Sequence, residues 1–208
     1  MNMLKAAVIA GIVSFAALSA NAATVSQAGT LAGGVFTIEG GGTTVAVSDP
    51  SNAWILSGTT PASEWIWDES KVVLNGTFGG PVTFLYTFSL SAFDAATASL
   101  SGLIGLDDIG TVSLNGFEIF SDLVAYDDGP NWGKFQTYGT TNAALFNAGE
   151  NVLSFFVVNS GNGPAGLRAT VTVEASAVPL PAALPLLGGA LAAFGFVGLR
   201  RKRQTKTA

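Results

Sequence analysis

The sequence predicts an all-β fold, a sandwich or a barrel, from two observations. Between residues 24 and 177, Gly, Thr, Ser, Val and Phe are prominent and turn signals recur at short intervals, whereas a helical repeat of useful length is missing. Several stretches alternate apolar and polar residues, which is the period of a strand with one buried face. The chain has 208 residues, enough for one such domain of ordinary size.

The predicted strands follow one another through this region. Residues 35–39 and 43–47 flank a run of three glycines, and we expect them to form an opening hairpin. In the last strand, apolar residues alternate with polar ones, so that Arg168 is expected on the solvent face. The other long predicted strands are 81–90, 97–106, 151–159 and 167–175.

Residues 103–119 read as strand, turn, short strand, turn and strand, with turn signals at Asp107-Asp108 and Asn115-Gly116. The stretch 105–116, together with the downstream residues 146–153, resembles the core hairpin and the following edge of galactose-binding-like jelly rolls, which include accessory sandwich domains of glycosidases. This resemblance implies a jelly-roll-type β-sandwich over residues 77–177. Residues 23–76 are then either an N-terminal β extension or the early strands of the sandwich.

The composition excludes several kinds of chemistry. The chain has no Cys and no His, which removes disulfides, Cys nucleophiles, Ser-His catalysis and the usual zinc sites. All fourteen acidic residues lie between Glu39 and Glu174, whereas the same region holds three cations, Lys71, Lys134 and Arg168. Such an acidic body repels phosphate backbones, so nucleic acid is not an expected partner.

The N-terminus has the three parts of a secretory signal. Lys5 supplies the positive charge, residues 6–18 form an apolar run, and Ala20-Asn21-Ala22 offers a small-x-small cleavage site. A buried N-terminal helix is the alternative, but a continuous apolar run lacks the polar face of a surface helix. Residues 1–22 are therefore predicted to be a signal helix that is cleaved after Ala22.

The C-terminal residues 178–208 have a second, distinct organisation. Residues 182–199 carry no charge and would reach about 27 Å as a helix, enough to cross a bilayer core. Prolines at 179, 181 and 185 mark the entrance of this single predicted transmembrane helix. A basic cluster follows it and predicts a cytoplasmic end, with the acidic body outside: Arg200, Arg201, Lys202 and Arg203.

The motif Val178-Pro179-Leu180-Pro181-Ala182, followed by a short apolar helix and a basic cluster, resembles the VPLPA-CTERM variant of the PEP-CTERM sorting tails. The resemblance implies a precursor that the secretion machinery exports and the inner membrane holds transiently. It also implies that an exosortase-type membrane protease cuts near the motif and releases the body to the cell surface or beyond. The family is associated with exopolysaccharide and biofilm production. A plain C-terminal anchor that is never cut is the alternative.

Calcium is the one cofactor that the sequence leaves open. Asp107-Asp108 and Asp127-Asp128 could each donate carboxylate oxygens, which are the ligands that Ca²⁺ takes in proteins. Neither pair repeats the spaced pattern of an EF-hand. Turn chemistry on a solvated face explains both pairs as well, and it is the favoured interpretation.

A polar loop with one tryptophan is the best candidate for a carbohydrate site. Asn131 and Trp132 lie in the loop 127–134, and Arg168 is expected to join them from the last strand. Sugars place their apolar faces on aromatic rings while polar groups fix the hydroxyls. The alternative is that Trp132 caps the sandwich core.

Two further patterns do not indicate catalysis. Residues 161–166 match the letters of a dinucleotide-binding loop, but a strand is predicted after them where that mechanism needs a helix. Adjacent carboxylates do not supply the separated pair that a glycosidase needs. The sequence therefore predicts a non-catalytic surface protein that associates with exopolysaccharide or the biofilm matrix. The alternatives are a structural extracellular protein with no specific ligand and, less favoured, a surface glycosidase.

Overall fold

The computed structural model describes residues 21–49, 52–72, 78–124, 131–161 and 163–178. The predicted signal helix up to residue 20, the tail from residue 179 onward and the pair Asp127-Asp128 lie outside these ranges. None of the helices in the described ranges is long and apolar enough to cross a membrane.

The described strands form two antiparallel sheets, which confirms the predicted all-β sandwich. The first sheet has the order β3-β4-β11-β6-β9, with β1 also paired to β11, and the second has the order β2-β5-β10-β7-β8. The strands are β1 (Ala22–Gly29), β2 (Thr37–Ile38), β3 (Thr44–Ala46), β4 (Ile66–Asp68), β5 (Val82–Ser89), β6 (Phe93–Asp107), β7 (Ile109–Leu114), β8 (Phe117–Asp122), β9 (Gln136–Thr140), β10 (Glu150–Val158) and β11 (Gly166–Ala177).

The long predicted strands are confirmed, because alternate residues of each one enter the core between the sheets. In β10, Leu153, Phe155 and Val157 are buried, and β5 contributes a matching row of four residues. Aromatic rings fill the space between these rows and the facing sheet: the Phe155 ring lies 5.6 Å from that of Tyr138 and 5.7 Å from that of Phe36. The buried row of β5 is Val82, Phe84, Tyr86 and Phe88.

The predicted opening hairpin is wrong. Strand β2 pairs with β5 in one sheet, whereas β3 pairs with β4 in the other. The three glycines between them, Gly40, Gly41 and Gly42, have φ angles of 80°, 91° and 145° and carry the chain from one sheet to the other. Alternation in the sequence identified the two strands, but it does not determine which partner each one takes.

Residues 22–72 supply strands to both sheets. Strand β1 runs along β11 from the pair Ala22 and Ser176 to the pair Gly29 and Thr170. Residues 52–64 contain no strand and carry Trp54. Trp65, directly before β4, and Trp67, within it, are both buried. This part of the chain is therefore integrated with the strands that follow it.

Two turns in the middle of the chain have different roles. Asn115 and Gly116, with φ angles of 51° and 85°, form the predicted two-residue hairpin between β7 and β8. The turn at Asp107-Asp108, whose peptide bond is cis, instead joins strands of opposite sheets, because β6 belongs to one sheet and β7 to the other. Asp108 is the one residue between them.

The ladder between β6 and β11 is opened at one point by a tyrosine. The Tyr138 hydroxyl donates to the carbonyl oxygen of Thr170 at 2.8 Å, and the Thr170 Oγ1 accepts from the Leu103 amide at 3.0 Å. Gly102 is required opposite this point, because a Cβ there would collide with the Thr170 carbonyl and the Tyr138 ring. Side-chain bonds thus replace ladder bonds where Tyr138 enters the core.

Candidate functional site

A cavity of about 260 Å³ lies where the turn between β6 and β7 meets three segments without strand structure. These segments carry Asp49 with residues 52–54, the 3₁₀ turn Asn131–Gly133, and residues 159–161 and 163–165 between β10 and β11. Two tryptophans and three aspartates line the space. The described lining residues are Asp49, Ala53, Trp54, Asp107, Asp108, Trp132, Asn159, Gly161, Gly163 and Pro164.

Asp107 is the more buried of the two adjacent carboxylates, with 5% of its surface exposed. Its Oδ2 accepts from the Trp54 indole Nε1 at 2.7 Å. Burial, together with the hydrogen bond and negative charge of Asp108, raises the pKa of Asp107 to about 8. Asp107 is therefore largely protonated at neutral pH.

Asp108 fastens the turn between the sheets to the connection that follows β10. Its Oδ2 accepts from the Ser160 amide at 2.7 Å, from the Ser160 hydroxyl at 2.8 Å and from the Gly161 amide at 3.0 Å. Asn159 supports the same connection, because its Nδ2 donates to the Phe78 carbonyl at 2.7 Å. Neighbouring carboxylates thus have different roles, one buried against an indole and one binding backbone amides.

Trp132 is half-buried, so that it packs against the core and also lines the cavity. Its carbonyl oxygen accepts from the Ile55 amide at 2.8 Å, which ties the 3₁₀ turn to the segment that carries Trp54. The Trp54 ring in turn lies 4.6 Å from the ring of Trp65. Trp132 therefore packs against the core, as one interpretation of the sequence expects, and its contact with a sugar stays a prediction.

Asn131 does not face solvent, since its exposed fraction is 0%. Its Nδ2 donates to the Asp108 carbonyl at 3.0 Å and to the Val124 carbonyl at 3.4 Å. The asparagine thus links the Trp132 turn to the Asp108 turn from beneath the surface. Asn131 was predicted to contact a sugar directly, but it has no exposed atom that could do so.

The expectation that Arg168 lies on a solvent face is wrong, because 5% of its surface is exposed. Residues 52–63 cover this part of the sheet, and the guanidinium bonds to them: Nη1 to the Ile55 carbonyl at 2.7 Å, Nη2 to the Ser57 carbonyl at 2.9 Å and Nε to the Ser63 hydroxyl at 3.2 Å. Burial lowers the pKa of Arg168. Alternation along β11 was read correctly, but it contains no information about the segment that lies over the strand.

Calcium binding stays a prediction. Of the four predicted carboxylates, Asp107 and Asp108 lie together at the cavity. Within the ranges the structure describes, acidic side chains do not gather in groups of three or more suited to a metal ion. Ca²⁺ takes six to eight oxygens, and Asp107 and Asp108 already accept hydrogen bonds from protein groups.

Among the cavity residues that were not predicted from the sequence, Asp49 and Trp54 make side-chain hydrogen bonds that shape the site. Asp49 Oδ2 accepts from the Ala53 amide at 2.6 Å and closes the turn that leads to Trp54. Trp54 then reaches Asp107, a residue 53 positions further along the chain. Both lie in a segment without periodic structure, so the short-range turn signal at Asp49 was the one available cue.

No protein-family model matches this sequence, and no curated protein matches it. Among solved structures, a family 35 carbohydrate binding module from an environmental isolate is similar at 16% identity and a TM-score of 0.36, covering 69% of this chain and 98% of that one. A family 35 module from Clostridium thermocellum has 12% identity and a TM-score of 0.34, with coverages of 71% and 97%. A family 35 module from Cellvibrio japonicus has 13% identity and a TM-score of 0.34, with coverages of 76% and 100%.

Proposed function

We propose that this protein is an exported, non-catalytic surface protein that associates with exopolysaccharide through the cavity beside Trp132. The observation that carries the proposal is the combination in one cavity of a half-buried indole and hydrogen-bonding carboxylates. Nothing in this proposal requires a cofactor.

The cavity has the chemistry that a neutral sugar ring needs. Its volume of about 260 Å³ is at the small end for a ligand pocket, in keeping with one or two sugar rings. The face of the Trp132 indole can pack against the C–H groups of a sugar ring. Asp49 and Asp108 line the same space, and a carboxylate can accept bonds from sugar hydroxyls.

Export and sorting form the second part of the proposal. Support comes from the position of the predicted cleavage points at the borders of the folded unit. Ala22 begins β1 and pairs with Ser176, and Val178 directly follows β11 with 55% of its surface exposed. Removal of the leader after Ala22 would take away the pair of Ala22 with Ser176, whereas the pairs of β1 with β11 from Ala23 onward would stay in place.

The binding test uses the full-length chain in detergent on a glycan array, followed by retention on the polysaccharides that score. Trp132→Ala should abolish retention while the chain still folds, with a moderate fall in melting temperature because the indole also packs against the core. The matched control is Phe117→Ala, which removes an exposed ring (59%) at the β7–β8 hairpin. Unchanged retention by the Trp132 variant would reject the cavity as the site.

Two further measurements separate the alternatives. A wild-type chain that binds no glycan would support the structural extracellular protein. Turnover of a labelled polysaccharide would support the glycosidase. For sorting, the intact mass of protein recovered from the cell surface should lack residues 1–22 and the basic cluster, and a retained Arg200–Arg203 segment would contradict processing.

A further inference from the structure

Arg168 has a role in the cavity that differs from direct contact with a sugar. We infer that Arg168 is a positioning residue that fixes residues 52–57, here called the covering segment, and through them both indoles of the cavity. The functional part of this inference rests on the proposed carbohydrate site. The structural part concerns Trp54 and Trp132 alone.

The covering segment has no strand of its own, so its position depends on bonds to other elements. The guanidinium of Arg168 donates to the carbonyls of Ile55 and Ser57, two residues apart on this segment. The Phe135 ring lies 5.2 Å from the guanidinium carbon and supports it from another side. A planar fork can hold two carbonyls at once, which a single ammonium group cannot do with the same geometry.

Ile55 transmits this restraint to both tryptophans of the cavity. Its amide donates to the Trp132 carbonyl at 2.8 Å, while its carbonyl accepts from Arg168 and from the Trp65 indole at 3.0 Å. Trp54 directly precedes Ile55, and its indole reaches Asp107. Ile55 thus links Arg168 to Trp132 through its amide and, as the next residue in the chain, to Trp54.

Arg168 is buried in β11, where its charge is compensated by carbonyl and hydroxyl oxygens of the covering segment and its neighbour Ser63. A buried cation needs such partners, because an uncompensated one is strongly unfavourable. Loss of the guanidinium therefore removes two anchors of the covering segment. The apolar core between the sheets is not affected directly.

The test compares wild type with Arg168→Met, which keeps an unbranched side chain close in length to the aliphatic stem of Arg and removes the guanidinium donors. Three of the four tryptophans, Trp54, Trp65 and Trp67, are buried, so acrylamide quenching in wild type reports mainly on Trp132. In the variant, we expect a larger quenchable fraction as Trp54 becomes accessible. We also expect glycan retention to weaken about tenfold, since binding then has to order the segment again.

The matched control is Tyr138→Phe, which removes one buried hydrogen bond to β11 away from the cavity. It should lower the melting temperature without changing quenching or retention. Arg168→Lys should be intermediate, because it restores the charge but not the fork. If Arg168→Met lowers the melting temperature while quenching and retention stay at wild-type values, its role is merely structural and the inference is overturned.

The inference stays testable if Arg168→Met does not fold or if the wild-type chain binds no glycan. If Arg168→Met does not fold, Arg168→Lys decides, because it keeps the charge and removes the fork that holds the Ile55 and Ser57 carbonyls; it should raise the quenchable fraction, and no rise would overturn the inference. If the wild-type chain binds no glycan, the proposed function fails. The quenching measurement then still decides whether Arg168 positions the indoles.

Discussion

The centre of the second sheet and the cavity end of the molecule are held together in different ways. Strands β5, β10 and β7 are joined by long regular ladders and bury one side chain in two. At the cavity, side chains bond instead to the backbone of distant segments: Asp108 to Ser160 and Gly161, Asn131 to Asp108, and Arg168 to Ile55 and Ser57. Apolar burial stabilises the first region, whereas individual hydrogen bonds determine the shape of the second.

The largest effect that this comparison predicts is in the sheet. Phe155→Ala removes a fully buried ring that contacts Phe36 and Tyr138, and should cost about 3–5 kcal/mol of unfolding free energy. Its neighbour Phe156, 40% exposed on the opposite face, is the matched control and should cost less than about 1 kcal/mol as Ala. Urea unfolding measures both, and equal losses would contradict the assignment of the two faces.

A smaller loss is expected at the cavity end. Asp108→Ala leaves the Ser160 amide without its acceptor and the Gly161 amide with Asn159 Oδ1 alone, and should cost about 1.5–3 kcal/mol. Asp108→Asn keeps a side-chain oxygen and should lose less. Hydrogen exchange should show faster exchange of these two amides in the Ala variant while the β10 amides keep their protection. Uniform loss of protection would mean that the cavity end and the sheet unfold as one unit.

Asp107 should make the cavity end sensitive to pH. Its pKa is raised to about 8 in the folded protein from an ordinary value of 3.8, so the folded chain keeps a proton that the unfolded chain releases. The stabilisation is complete below the unfolded pKa and is lost as pH rises through about 8, by about 1–2 kcal/mol after allowance for solvent near the cavity. Asp107→Asn should flatten this decline between pH 4 and about 8, as measured by melting temperature; an unaltered decline would assign it to other groups.

The smallest expected loss of stability is at Tyr138, where side-chain bonds interrupt the ladder between β6 and β11. Tyr138→Phe leaves the Thr170 carbonyl without its side-chain donor and should cost about 1 kcal/mol. The ring itself, which packs edge-on against Phe155, is retained. Equilibrium unfolding checks this value. A loss as large as that of Phe155→Ala would show that the hydroxyl bond, and not the ring, secures β9.

The same contrast explains what could be predicted from the sequence. Strands β5, β6, β10 and β11 were identified by the alternation of apolar residues, and the β7–β8 hairpin by Asn115-Gly116. Alternation does not show which strands pair with each other. For this reason β2 and β3, which are linked by three glycines, were wrongly predicted to form a hairpin. Period-two burial describes how a strand faces the core, but it says nothing about neighbours far away in the chain.

The cavity was predicted only in pieces. Trp132 was proposed for sugar and Asp107-Asp108 for calcium, and the structure brings these three residues to one space. Asp49 and Trp54 were missed, since a segment without regular structure gives no periodic signal. The burial of Asn131 and Arg168 could not be read from local pattern either, because the partners of their side chains lie far along the chain: Asp108 for Asn131, and Ile55 for Arg168.

The single-residue connection at Asp108 has a mechanical consequence. Because β6 and β7 lie in opposite sheets, tension applied to a chain held in the cavity would reach both layers through continuous backbone. A module attached through a long surface loop would yield at that loop first. Here the load would be shared across the ladder bonds of both sheets.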